Sequence, residues 1–283
     1  MKALHGKLKY AAVAALLCGL GSQVQAVPLP FTVNPANAGY NAPLNINPFE
    51  ATFIQGTAST LVDLNYLGVA GQSHGVGYIN FSGFDHITNG PIGAASSGLG
   101  VNYDLFMTYE YTLQYVPGTG SGYATLGSEN TLTSLMFKLW IDGQGATTLT
   151  PASATAGNAS GVAAIVNFSG TEQLLGQSTE LYAGVANINL LGGTGFNSTI
   201  GFELVSPTGP LYFTAPSPFY NVSFENFNNT SQGVVFTTDG NSLVLNSANG
   251  GIDFNRIPEP GTLALLAIGL LGFSYRFNSR LSA

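Results

Sequence analysis

The stretch Val101–Tyr115 reads VNYDLFMTYEYTLQY, and every odd-numbered position in it is apolar or aromatic. The even-numbered positions are polar, with the exception of Phe106. Side chains alternate between the two faces of a strand, so this pattern predicts a long, half-buried strand rather than a helix. We expect its tyrosines to line the interior, with an exposed platform that stacks on sugars as the alternative. They are Tyr103, Tyr109, Tyr111 and Tyr115.

Weaker strand patterns occur on both sides of this segment. They cover Ser59–Leu67, Val76–Phe84, Thr131–Ile141, Val162–Phe168, Glu180–Leu190, Thr199–Val205, Phe219–Phe227, Val234–Thr238 and Ser242–Asn246. Asp239-Gly240 indicates a tight turn between the last two. The polar segment from Gly143 to Gly161 is interpreted as a long loop within one domain, with a linker between two domains as the alternative. We therefore expect an all-β fold, an antiparallel β-sandwich with a jelly roll as its more specific form, preceded by an irregular segment at 28–48.

The first 26 residues have the features of a signal peptide. Three lysines precede the apolar core Ala11–Leu20, which predicts a signal helix. Small residues at the positions that signal peptidase reads place the cleavage between Ala26 and Val27. The predicted extracellular β-domain then spans 27–255, and it contains no cysteine because Cys18 leaves with the signal peptide.

The segment 256–283 combines three features in a fixed order. They are the tripeptide Pro258-Glu259-Pro260, the apolar run Leu263–Phe273, and the cations Arg276 and Arg280. The prolines keep the backbone around the glutamate extended and accessible to an enzyme. The short hydrophobic helix that follows is below the roughly 20 residues of a stable span, so we expect transient membrane insertion through 263–275. The arginines would stay on the cytoplasmic side.

This tripeptide, helix and basic tail resemble the sorting signal of the PEP-CTERM proteins of Gram-negative bacteria. The resemblance implies export across the inner membrane, processing near Glu259 by the membrane enzyme exosortase, and a final place at the cell surface or in the extracellular matrix. It also implies a setting of exopolysaccharide-rich biofilm or floc, and the body resembles flocculation-associated PEP-CTERM proteins. The bond that is cut, and whether the mature protein is anchored or released, stay open.

The charge of the β-domain restricts its partners. The chain has 7 Lys and Arg and 14 Asp and Glu, and removing both terminal segments leaves Lys138 with 13 acidic side chains, a net charge of −12. Nucleic acids and anionic lipids require cations that this surface lacks, which excludes them as partners. Neutral polymers such as exopolysaccharide, divalent cations and apolar surfaces remain.

The sequence contains few groups suited to catalysis. Gly71-Gln72-Ser73-His74-Gly75 matches a nucleophile elbow, but a predicted strand follows the serine where that motif requires a helix. The predicted β-domain has only two histidines, His74 and His86, far apart in the sequence, and no thiolate, which makes a zinc site improbable. Structural calcium stays an option without assignable ligands. We therefore assign no catalytic residue and no cofactor, and expect a structural or adhesive protein. The alternatives are a lectin-like carbohydrate-binding module and, less favoured, a polysaccharide-degrading enzyme.

Overall fold

The computed structural model describes residues 28–40, 45–122, 124–154, 161–228 and 234–256. Both predicted terminal helices, with their processing and tail residues, lie outside these ranges. The residues concerned are Ala26, Val27, Pro258, Glu259, Pro260, Arg276 and Arg280. Within the described ranges, no helix has the length and apolar character needed to cross a membrane.

The described residues form fifteen strands, which confirms the all-β prediction. The strands are β1 Phe31–Val33, β2 Phe49–Ala51, β3 Phe53–Asp63, β4 Gln72–His86, β5 Gly90–Ile92, β6 Tyr103–Tyr115, β7 Glu129–Gly143, β8 Thr148–Thr150, β9 Ile165–Asn167, β10 Gln173–Ile188, β11 Thr194–Leu204, β12 Phe213–Ala215, β13 Val222–Asn228, β14 Val234–Phe236 and β15 Ser242–Asn255. A 3₁₀ turn at Tyr66–Gly68 and the short helices α1 (Ala94–Ser97) and α2 (Thr208–Tyr212) lie between them.

Eight of these strands close into one barrel, so the predicted sandwich is wrong. Around the ring the order is β3, β4, β6, β7, β10, β11, β13 and β15, and neighbouring strands are antiparallel. The ring closes because β15 pairs with β3 on one side and with β13 on the other. A sandwich would leave two separate sheets facing each other, whereas every one of these strands has two hydrogen-bonded neighbours.

Strand length and local backbone chemistry explain the closure. The strands β4, β7 and β10 contain 15, 15 and 16 residues, well beyond the usual strand length, and long tilted strands favour a coiled sheet. Glycines on the inner surface also leave room for aromatic rings of the neighbouring strand, because they have no side chain. Gly75 of β4 lies opposite Tyr111 of β6, and a Cβ at Gly75 would lie 2.2 Å from Cζ of that ring.

Aromatic side chains fill one end of the barrel, here called the closed end. The small sheet of β1, β2 and β12 belongs to this end. Phe31 of β1 packs edge-on against Phe254 of β15, with ring centroids 5.2 Å apart, and against Phe213, at 5.8 Å. The hydroxyl of Tyr103 donates to the carbonyl of Ser97 at 3.0 Å. The segment 28–48, expected to be irregular, thus contributes a strand to the core.

Hairpin connections form the opposite end, here called the loop end. They join β3 to β4, β6 to β7, β10 to β11 and β14 to β15. The predicted turn at Asp239-Gly240 is confirmed, since Gly240 has φ +69° between β14 and β15. The polar segment from Gly143 to Gly161 belongs to the connection from β7 to β10, which are neighbours in the barrel. Its strand β8 pairs with β9.

Candidate functional site

The barrel encloses a cavity of about 100 Å³ in the half nearer the loop end. Alternate residues of each strand point inward, so the cavity wall is composed of side chains from all eight strands. Most of the wall is apolar. Representative lining residues are Ala58, Val62, Ile79, Met107, Leu135 and Leu243.

Tyr109 and Tyr111 of β6 supply part of this wall, and Tyr103 is buried near the closed end, which confirms the interior prediction for these three; Tyr115 is half-buried and lies outside the wall. Tyr103 and Tyr111 are 0% and 5% exposed. Tyr109 lines the cavity beside Tyr111, their rings stacked with centroids 6.1 Å apart. The Tyr109 hydroxyl hydrogen-bonds to Thr60, and burial raises the pKa of this phenol above its ordinary value. These rings therefore belong to the core, and the sugar-stacking alternative does not apply to them.

One carboxyl group, that of Glu225, also lines the cavity. Glu225 lies on β13 and is only 4% exposed. Its carboxyl accepts hydrogen bonds from the hydroxyls of Ser198 and Ser223, the latter at 2.6 Å. Burial raises the pKa of Glu225 to about 7, despite these hydrogen bonds. Sequence reasoning missed this residue because one acidic position in a strand gives no sign of the face it occupies.

Asn130 is a second polar group in the wall of the cavity. It lies at the start of β7 and is 8% exposed. Its Nδ2 donates to the carbonyl of Ala186 over a long 3.5 Å, while Oδ1 is buried without a hydrogen-bond partner. A buried acceptor without a partner is costly, so this oxygen is suited to accept a bond from a bound molecule.

The outer wall of the barrel carries a surface of exposed amides, here called the amide face. Its members lie on the neighbouring strands β10, β11, β13 and β15. They are Asn187, Asn197, Asn226, Asn228 and Asn249. Asn197 is opposite Asn226, and Asn228 is opposite Asn249, in the strand register. The amide of Asn228 donates to Oδ1 of Asn226 at 2.8 Å. The face therefore presents aligned donors and acceptors without charge.

A pair of carboxyls, Asp142 and Glu172, is satisfied by nearby hydroxyls. The Thr147 hydroxyl lies 2.9 Å from Asp142 and 2.6 Å from Glu172 and shares its proton between them, and Ser169 and Thr171 donate to Asp142 at 2.8 and 2.7 Å. Burial raises the pKa of both carboxyls, but the hydrogen bonds lower it by more. The pKa of each carboxyl is therefore below its ordinary value, and that of Glu172 is about 2. Among the described residues, no group of three or more His, Cys, Asp or Glu side chains is arranged to hold a metal. Structural calcium, which backbone carbonyls could also bind, stays a prediction.

The nucleophile-elbow pattern around Ser73 lies mostly on a strand rather than in the turn expected for it, and the predicted strand, not a helix, follows the serine. Ser73 is in β4, is 2% exposed and faces the cavity. The next residue, His74, stacks on Tyr66 with ring centroids 4.5 Å apart, and its Nε2 lies 3.9 Å from the Glu110 carboxylate. Consecutive residues of a strand point to opposite faces, so this serine and histidine do not form a dyad.

Comparison with known proteins identifies the terminal segment. A family profile described as the PEP-CTERM protein-sorting motif matches residues 256–280. No curated protein and no solved structure matches the chain. The matched motif implies export, exosortase as a processing partner, and a place at the cell surface or outside the cell. On this evidence the chain carries a PEP-CTERM protein-sorting motif at 256–280.

Proposed function

We propose that the exported protein is a non-catalytic, adhesive component of an exopolysaccharide-rich matrix, such as that of a biofilm or floc. The observation that carries this proposal is the amide face. Asparagine side chains donate two hydrogen bonds and accept up to two, and sugars offer hydroxyls that do both. Neighbouring strands lie about 4.8 Å apart, so the face presents a repeating polar surface to an extended polymer.

The charge of the domain supports a neutral polymer as the ligand. Lys138 is the only Lys or Arg between residues 27 and 255, against 13 acidic side chains. An acidic polysaccharide would be repelled unless divalent cations bridged it to the protein. Uncharged amides avoid this repulsion, and weak contacts repeated along a polymer add up through multivalency.

Cosedimentation of the exported protein with neutral exopolysaccharide tests the amide face. Asn226→Asp and Asn249→Asp keep the side-chain shape, replace amide donors with a charge, and should each weaken binding several-fold. The control is Asn89→Asp, which adds the same charge to an exposed turn between β4 and β5. Equal binding by all three variants and the wild type would contradict adhesion through this face.

We also propose that the protein works without catalysis and without a cofactor. The separation of Ser73 from His74 on opposite faces of β4 supports this view. Incubation with polysaccharide should release no reducing sugar, and a strain lacking the protein should lose aggregation. Steady release of reducing sugar would favour the enzyme alternative. Saturable binding of one defined oligosaccharide would favour a lectin-like module.

A further inference from the structure

We propose that the barrel interior binds the hydrocarbon chain of a small neutral amphiphile whose head group donates a hydrogen bond to Asn130. This site goes beyond the proposed adhesive function, because the cavity is inside the barrel while the amide face is on its outer wall. Apart from Asn187, which borders both, the two sites use different side chains, so each can be disrupted separately.

The size and lining of the cavity define the ligand class. Apolar cavities of this kind stay dry and take up apolar molecules; an engineered one of about 150 Å³ binds benzene. The barrel cavity, at about 100 Å³, is smaller, so it encloses part of a single unbranched chain, and the rest extends towards the hollow at the loop end. Small side chains at Ala58, Ala186 and Ala248 keep this space open, since longer residues there would fill it.

The loop end provides an entrance. A second hollow of about 450 Å³ lies there, and Ala124 and Ile188 line both it and the interior cavity. The connections around this end, together with the short strand β14, expose apolar side chains. They are Leu67, Leu126, Leu190, Leu191, Val235 and Phe236. Leu190 and Leu191 are 77% and 87% exposed, which is unusual for such residues and is typical of a surface that contacts an apolar ligand.

Asn130 selects the head group. It pairs with Tyr115 and Ala186, at the loop end of the barrel wall, where a head group would lie once the chain has entered. Its unpartnered Oδ1 can only accept a hydrogen bond. A hydroxyl or amide N–H satisfies it, whereas an ionised carboxylate offers no donor and would lose its own hydration. The site should therefore prefer an alcohol to a fatty acid anion.

Calorimetric titration of the exported protein with 1-octanol tests the site, with octanoate as the matched comparison. We expect saturable binding of one octanol per chain and at least tenfold weaker binding of octanoate. Ala58→Leu fills the cavity and should weaken octanol binding at least tenfold. Val185→Leu, on the exposed outer face of β10, is the control and should bind as the wild type does. Asn130→Leu should reduce the preference for octanol, while the Glu225 carboxyl in the same wall still disfavours octanoate.

Three outcomes would overturn the proposal: no saturable binding by the wild type, equal octanol binding by Ala58→Leu, or an unchanged preference in Asn130→Leu. Circular dichroism verifies that each variant folds, and Ala186→Leu fills the same cavity from β10 if Ala58→Leu does not fold.

Phosphatidylethanolamine vesicles then distinguish the ligand source. If the vesicles displace octanol, the ligand is a bilayer lipid. If they do not, the ligand is a free amphiphile. Either result supports the interior site.

Discussion

Replacing Glu225 by glutamine should make the stability of the barrel less dependent on pH. The carboxyl is buried in the barrel and its pKa is raised from the ordinary 4.5 to about 7. The folded state therefore binds the proton more tightly than the unfolded state does. Protonation of Glu225 therefore stabilises the folded state, and this stabilisation is complete below pH 4.5. It is lost as the pH rises through 7.

The magnitude follows from the two pKa values. A tenfold difference in proton affinity corresponds to about 1.4 kcal/mol, so this carboxyl should make the protein about 2.5 kcal/mol less stable at pH 9 than at pH 5. Burial also raises the pKa of Asp253, to about 6. That group adds a smaller dependence of the same sign, and it is present in the wild type and in Glu225→Gln alike.

Urea unfolding at pH 5 and pH 9, followed by the fluorescence of the single tryptophan, Trp140, measures this difference. Glu225→Gln should reduce the loss of stability between the two pH values by about 2.5 kcal/mol. Glu180→Gln removes an exposed carboxyl and should behave as the wild type. An identical loss in Glu225→Gln and the wild type would show that the buried carboxyl does not control the pH dependence.

Three further changes test the core and the sorting motif. Gly75→Ala places a methyl group against the ring of Tyr111 and should lower the free energy of unfolding by about 1–3 kcal/mol, whereas Gly83→Ala on the same strand meets no atom within 4 Å; equal losses in urea unfolding would refute the packing argument. Tyr103→Phe removes a fully buried hydroxyl and should cost about 1–2 kcal/mol, so an unchanged urea midpoint would count against that hydrogen bond. Glu259→Ala should leave the sorting segment attached, and a wild-type mass of the exported protein would contradict its role.

Local patterns were sufficient to predict individual strands. The alternation in Val101–Tyr115 predicted both β6 and the face that turns inward, because the two-residue period belongs to the strand itself. The turn at Asp239-Gly240 was equally local. The sorting motif was also readable, since its three parts are contiguous in the sequence.

Closure of the barrel could not be predicted in this way. Pairing of β13 with β15 depends on residues that meet only in the folded chain. The strand predicted to end at Asn246 continues to Asn255 through Gly250 and Gly251. Two glycines weaken a strand pattern, yet here they permit close backbone approach: a Cβ at Gly250 would lie 1.8 Å from the carbonyl oxygen of Asn226.

The interior site could not be predicted from the sequence for a similar reason. Asn130 and Glu225 are 95 positions apart in the chain and share no motif. Only the register of the closed ring shows that both face the same cavity. The amide face likewise became visible once the asparagines of four strands were placed side by side.

The two ends of the described body lie close to each other. Tyr220 donates a hydrogen bond to the carbonyl of Pro30 at 2.8 Å, and the Arg256 guanidinium lies 5.9 Å from the centre of the same ring. Residues 28–30 and 256, where the described body begins and ends, therefore lie together at the closed end. The sorting motif that starts at residue 256 thus continues from this end of the barrel, and the exposed leucines of the loop end lie at the opposite end.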